Sequence, residues 1–240
     1  LHDLVNHPHL KKENYGVVHF ESPDYRGIDT ALLYQKQFFH PIKQEKHKLI
    51  LINRDTGRNY YTRDILLVNG ILGNENIYVL VNHWPSRRGG QKRSAPGRKK
   101  AALLHQHITD SILNSDANAK IISMGDYNDE PNNKSLSIIS TSPFYNPYLS
   151  LKKKGLGTSG YQDKWFLLDQ IILTKKWREK IGYFHYQTNI FNPYYLRTPL
   201  GKYKNYPYRT DTKNLKVKGY SDHFPVYILV AEKVESRINY

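Results

Sequence analysis

The residues in this chain that can do chemistry gather where apolar runs end. The run Lys120 to Met124 stops at Gly125-Asp126-Tyr127-Asn128-Asp129-Glu130-Pro131. Glycine lets the backbone turn sharply there, and Asp126 and Asn128, two residues apart, can face the same side. A carboxylate and an amide oxygen so placed suit a hard divalent cation and an attacking water; the same composition also builds an ordinary Asp/Asn turn. A second segment, Tyr220-Ser221-Asp222-His223-Phe224-Pro225, leads into the apolar run at Val226. It offers a metal carboxylate beside a titratable imidazole, or simply a surface loop. In Asn82-His83-Trp84-Pro85-Ser86, His83 is either a donor to a phosphate oxygen or a strand-end histidine packed beside Trp84. In Leu167-Leu168-Asp169-Gln170 a carboxylate interrupts an apolar run, and burying it requires a partner, for which a histidine is the natural candidate.

Positioning these groups falls to elements whose periodicity is readable. Leu1 to Leu10 reads as the end of a helix, and Gly16 to Phe20, Asp29 to Tyr34 and Lys48 to Ile52 as strands. Ile65 to Val68, a turn through Gly73 and Asn74, and Ile77 to Asn82 read as a hairpin with alternating apolar residues. Between Gly97 and Leu113 the spacing becomes helical, with Ala101, Leu104, Ile108 and Ile112 on one face. Lys120 to Met124 reads as a buried strand, Ser135 to Ile139 as a short helix, and Phe166 to Leu173 and Val226 to Val230 as strands. The order predicts an α/β sandwich, two sheets face to face with helices outside.

The 240 residues, free of repeats and low-complexity tracts, predict one domain with a large core. No apolar run approaches the roughly 18 residues of a membrane span. Cysteine is absent, which excludes disulfides, thiolate metal sites and a cysteine nucleophile. Nothing in the chain selects between a secreted and a cytoplasmic location, and a monomer is expected. The chain begins at Leu1 and its only methionine is Met124, as expected of a processed fragment. Lys and Arg outnumber Asp and Glu by 36 to 21, a formal charge of +15 that favours polyanions, nucleic acid first and anionic membrane surfaces second.

Taken in order, "RGIDTALLY" at Arg26 to Tyr34, "NHWPSR" with His83, "GDYNDEP" with Asp126 and Asn128, "LDQI" with Asp169 and "GYSDHFPV" with Asp222 and His223 resemble the endonuclease/exonuclease/phosphatase superfamily over nearly the whole chain. That resemblance implies a four-layered, DNase I-like α/β sandwich, two packed β-sheets flanked by helices, with the site at one end of the sheets. It implies phosphate-ester hydrolysis assisted by Mg²⁺ or Mn²⁺. Asp126 and Asn128 would orient the water and bind metal, with Asp126 as base. His223 would contact the scissile phosphate, oriented by Asp169, with Asp222 and His223 near the metal. His83 would stabilise charge on the phosphoryl oxygens, and Arg26 and Tyr34 would touch phosphate or substrate. The family also carries an Asn and a metal-binding Glu at the ends of its first two strands, ahead of a helix like that at Leu1. Neither is found in this chain, so both are expected upstream, and residues 1–240 are expected to form one domain short of its N-terminal strands.

Substrate rests on the surroundings of these motifs. Arg87, Arg88, Lys92, Arg93, Arg98, Lys99 and Lys100, with Gly89, Gly90 and Gly97 among them, follow His83 and read as a flexible basic loop able to track a phosphate backbone. Tyr183 to Tyr208 reads as a loop whose aromatics either stack on bases or pack onto the sandwich. Trp165, beside the Asp169 strand, carries the same two readings. A nuclease acting on DNA or RNA is the expected function. A phosphoesterase for lipid or small phosphorylated substrates, sphingomyelinase-like or inositol-phosphatase-like, and an inactive fragment are the alternatives.

Overall fold

A computed structural model of the chain describes residues 1–53, 55–210 and 218–233. After a short helix α1 (His2–Val5) come β1 (Tyr15–His19), β2 (Ala31–Gln35), β3 (Phe39–His47), β4 (Ile50–Ile52), β5 (Asn59–Tyr61), β6 (Ile65–Leu72) and β7 (Glu75–His83). Helix α2 (Gln91–Ser115) then leads to β8 (Lys120–Asp126), α3 (Lys134–Ile139), β9 (Phe144–Tyr145), α4 (Leu149–Lys153), β10 (Ser159–Tyr161), β11 (Lys164–Phe166), β12 (Asp169–Thr174), β13 (Tyr183–Ile190) and β14 (Val226–Glu232).

The central element is a six-stranded sheet in the order β3-β6-β7-β8-β12-β9. Side chains alternate across a strand, and the sequence of β6 shows how both faces are covered. Ile65 and Leu67 enter one core with Leu80, Ile121, Ile172 and the α2 residues Ala101, Ala102, Ile108 and Ile112. Leu66 and Val68 enter the other with Val79, Ile171 and Leu173, against Val18 and Leu32 of the β1–β2 hairpin and Ile190 of the β13–β14 hairpin. A strand buried on both faces reads as a continuous apolar run, which is what Ile65 to Val68 is. The result is a layered α/β sandwich with α2 and α3 on one face of the main sheet and the paired strands with α4 on the other. Strands β7 and β8 are parallel, and such a pair needs a crossover, supplied here by α2.

One strand is new and three expectations are corrected. The polar stretch Phe39–His47 forms an unanticipated strand; it lies at the sheet edge, where Pro41 and charged residues are tolerated. The supposed flexible basic loop after His83 is mostly helix, since α2 starts at Gln91. Arg, Lys and Gln are good helix formers, and Arg98 is fully buried there. The aromatic segment from Tyr183 begins as a strand paired with β14, with Tyr183 and Ile190 on the core and Tyr186 exposed. The run Phe166 to Leu173 is divided, since β11 ends at Phe166 and β12 starts at Asp169.

Candidate active site

Strand register assembles the site. Parallel pairing sets His83 of β7 opposite Asp126 of β8, and antiparallel pairing sets Asp126 opposite Asp169 of β12. Residues directly opposite on neighbouring strands project to the same face, so three strand ends deliver one imidazole and two carboxylates to one row. The turn Ser221 to His223 closes over it, and His223 Nδ1 lies 2.8 Å from Asp169 Oδ2. Asp126, Asp169 and His223 each present a donor atom within 4.8 Å of the others. These residues, with His83, Ser86, Asn128, Ser221 and Asp222, line a pocket of about 400 Å³.

Gly125 makes the turn possible. Its φ is +135°, and a Cβ there would lie 1.9 Å from the carbonyl oxygen of Asn82, so no side chain fits. Beyond it Asn128, with φ 51°, folds back on the strand end. Its backbone N–H donates to Asp126 Oδ1 at 2.8 Å, and its Nδ2 donates to Asp126 Oδ2 and to Trp84 O, both at 3.0 Å. With the amide nitrogen so used, Asn128 Oδ1 accepts no hydrogen bond from the described residues.

The electrostatics separate the three titrating groups. Burial, then the facing carboxylate of Asp169, raises Asp126 to about 6. Burial acts against charge on His223, but the hydrogen bond and charge of Asp169 outweigh it and raise His223 to about 9. His83 falls to about 4, through burial first and then the positive charges of Arg63 and Arg26. At neutral pH the site therefore holds an imidazolium at His223, a neutral imidazole at His83 and a carboxylate at Asp126 near its titration point. His83 Nε2 stands 3.7 Å from Asp126 Oδ2, beyond hydrogen-bond range.

Behind this row sits a buried polar lattice that motif spacing does not disclose. Trp84 Nε1 donates to Asn82 Oδ1 at 3.0 Å, Asn82 Nδ2 donates to Ser123 Oγ at 3.0 Å, and Ser123 Oγ meets His105 Nε2 and Tyr127 OH, both at 2.7 Å. Asp129 anchors the far end of the turn. It pairs with Arg98 Nε at 2.7 Å and Arg87 Nη2 at 3.3 Å, and Ser135 Oγ donates to it at 2.5 Å. Thr158 ties the two halves of the His223–Asp169 pair together. Its Oγ1 accepts from Asp169 N at 3.3 Å, and its backbone oxygen accepts from Phe224 N at 2.8 Å. Arg98 and Asp129 had a signal in the sequence, the "NDEP" carboxylate and a basic helix; Thr158 and His105 had none.

The remaining candidates lie as follows. Asp222 stands exposed at the pocket rim, 3.9 Å from Arg209 Nη1, and Asp169 rather than Asp222 completes the cluster with Asp126 and His223. Arg87 is turned inward, its Nε donating to Asn128 O at 2.8 Å, while Arg88 is exposed. Arg26 is held by Asp24, Nε to Oδ1 at 3.1 Å, in a neighbouring cleft. Tyr34 packs on Phe39 and under Gly16, away from the pocket. Trp165 is stacked on Phe224 and against Tyr206.

A layered α/β fold with carboxylates, an amide and two histidines at the strand ends defines a phosphoesterase-type site. The chain belongs to the endonuclease/exonuclease/phosphatase family, whose model matches residues 1–232. Among solved structures it is similar to an endonuclease/exonuclease/phosphatase family protein from Bacteroides thetaiotaomicron (TM-score 0.60, 15% identity, 97% of this chain and 82% of that one). It is also similar to the mannosyl-6-phosphatase Bt3783 of Bacteroides thetaiotaomicron (TM-score 0.59, 14% identity, 95% and 82%). A third is a humanized D. rerio TDP2 (TM-score 0.57, 14% identity, 93% and 79%). No curated protein sequence matches the chain. Among the described residues no helix is long and apolar enough to cross a membrane.

Proposed function

We propose that this protein is a divalent-metal-dependent phosphodiester hydrolase that acts on DNA or RNA. The observation carrying this reading is the row His83, Asp126, Asp169 with His223 clasped to Asp169 at 2.8 Å. Two carboxylates facing one another in a buried pocket, one of them raised to about 6, form a negative site that a hard cation would neutralise. Asp126, Asp169 and Oδ1 of Asn128 would hold Mg²⁺ or Mn²⁺ through oxygen. Such an ion supplies Lewis-acid polarisation of the phosphoryl oxygens when bound.

The chain's own groups account for the rest. Asp126 accepts a proton from the attacking water as the water oxygen bonds to phosphorus and the ester P–O bond breaks in line, the leaving oxygen taking a proton from solvent to depart as an alcohol. Its raised affinity for protons suits it to act near neutral pH. His223, kept protonated by Asp169, donates to a phosphate oxygen, and neutral His83 donates its N–H to another as charge builds there. The formal charge of +15 favours a polyanionic substrate.

The test is hydrolysis of plasmid DNA, RNA and sphingomyelin vesicles with Mg²⁺ or Mn²⁺ and again with EDTA. Metal-dependent cleavage of nucleic acid is expected. Cleavage confined to the lipid, or equal rates in EDTA, would overturn the reading.

A further inference from the structure

A second cleft of about 490 Å³ opens beside the catalytic pocket, and Ser86 lines both. Its volume is that of a small-ligand site, room for one nucleotide but not for a duplex. Five basic side chains against two carboxylates line it: Arg26, Arg63, Arg88, Arg93 and Lys100 against Asp24 and Asp55. Part of that charge is built into the wall rather than draped over it. Arg63 is 4% exposed, and its guanidinium donates to Asp24 Oδ2 at 3.3 Å and to Trp84 O at 2.9 Å, so the wall of the cleft is fastened to the residue after His83. Asp24 serves Arg26 and Arg63 together, leaving the wall with a surplus positive charge. Arg88 and Lys100 add exposed charge at the mouth.

The other feature of the cleft is aromatic. Tyr25, Tyr60 and Tyr61 line it and are 81%, 43% and 42% exposed. Rings of this kind next to cations match a base and its phosphate. A base already stacked and paired in a duplex cannot enter such a cleft without being extruded.

Resting on the nucleic-acid reading above, we infer that this cleft seats the nucleotide adjoining the scissile phosphate, its base on the tyrosine lining that β5 supplies and its phosphate on Arg88 and Lys100. Single strands and frayed ends are then the substrate, and continuous duplex is a poor one.

The test uses the full chain in EDTA and fluorescence anisotropy with a labelled single-stranded oligothymidylate, a blunt duplex and competing free thymidine monophosphate. Tyr60→Ala/Tyr61→Ala should weaken single-strand binding about tenfold or more and erase its preference over duplex. Tyr60→Phe/Tyr61→Phe, which keeps the rings, should retain both. A strand that outcompetes the free nucleotide marks the cleft as a subsite for polymer; a free nucleotide that binds as tightly as the strand overturns that. A parent protein that cleaves nucleic acid with metal, but whose single-strand binding ignores the Ala pair, loses this inference and keeps the nuclease reading. A parent that neither binds nor cleaves nucleic acid loses both.

Discussion

The clasp between Asp169 and His223 makes the sharpest prediction. Removing the charge of Asp169 with Asp169→Asn leaves a hydrogen-bond acceptor beside His223 but takes away the attraction that overcomes burial. In the parent, His223 is raised from 6.5 to about 9; in the variant it should fall toward the ordinary value, because desolvation is then opposed by the lesser charges of Asp126 and Asp222. That displacement corresponds to roughly 3 kcal/mol of differential stabilisation. The sign follows from the folded value lying above the unfolded one. The contribution is fully present below about pH 6.5 and is lost as pH rises through about 9. Urea unfolding of metal-free parent and variant should therefore differ by roughly 3 kcal/mol at pH 6 and converge above pH 9.5. NMR titration of the His223 ring reads the same quantity directly. A variant whose His223 still titrates near 9, or a stability difference independent of pH, would refute the assignment of this pair.

Three further outcomes are expected. Asp126→Asn should lower turnover by roughly two orders of magnitude or more while the far-UV spectrum and unfolding midpoint stay near those of the parent; near-normal turnover would remove Asp126 as the base. Arg98→Met should destabilise by about 3 kcal/mol, the lower part of the range for a broken buried pair because Asp129 keeps Arg87 and Ser135. A chain of this size should then melt about 6–12 °C lower in calorimetry, and a shift under 2 °C would show that the pair is not coupled to folding. Gly125→Ala should cost roughly 3 kcal/mol or more, since strain at φ +135° adds to a Cβ 1.9 Å from Asn82 O; unfolding at the parent's midpoint would contradict the geometry of the turn.

Much of the layering was legible because apolar periodicity and burial have the same cause. Ile65 to Val68 and Ile77 to Asn82 read as hairpin arms, Lys120 to Met124 as a buried strand and Ala101 to Ile112 as one helix face; the structure covers these strands on both sides and lays the α2 stripe on one of them. The edge strand at Phe39 escaped notice because only its first residue is buried, and the exposed polar and charged residues that follow carry no apolar alternation to mark a strand. The arginines after His83 were misread for a related reason. Composition reports charge but not direction, and only packing shows Arg98 turned inward on Asp129 while Arg88 faces the cleft.

For the site, the residues themselves were written in the sequence. Gly125-Asp126-Tyr127-Asn128, Ser221-Asp222-His223, His83 and Asp169 are chemically distinctive wherever they occur, since few residue types carry a carboxylate or an imidazole and local backbone chemistry announces where strands end. What the sequence could not state was distance between segments far apart along the chain. Register across β7, β8 and β12 put His83, Asp126 and Asp169 in one row, the return of the chain after β13 brought His223 onto Asp169 across 54 residues, and the same packing left Asp222 at the rim. Proton affinities followed from that assembly. Burial and mutual charge, neither of which exists before the strands pair, separate Asp126, His83 and His223 into three different protonation states.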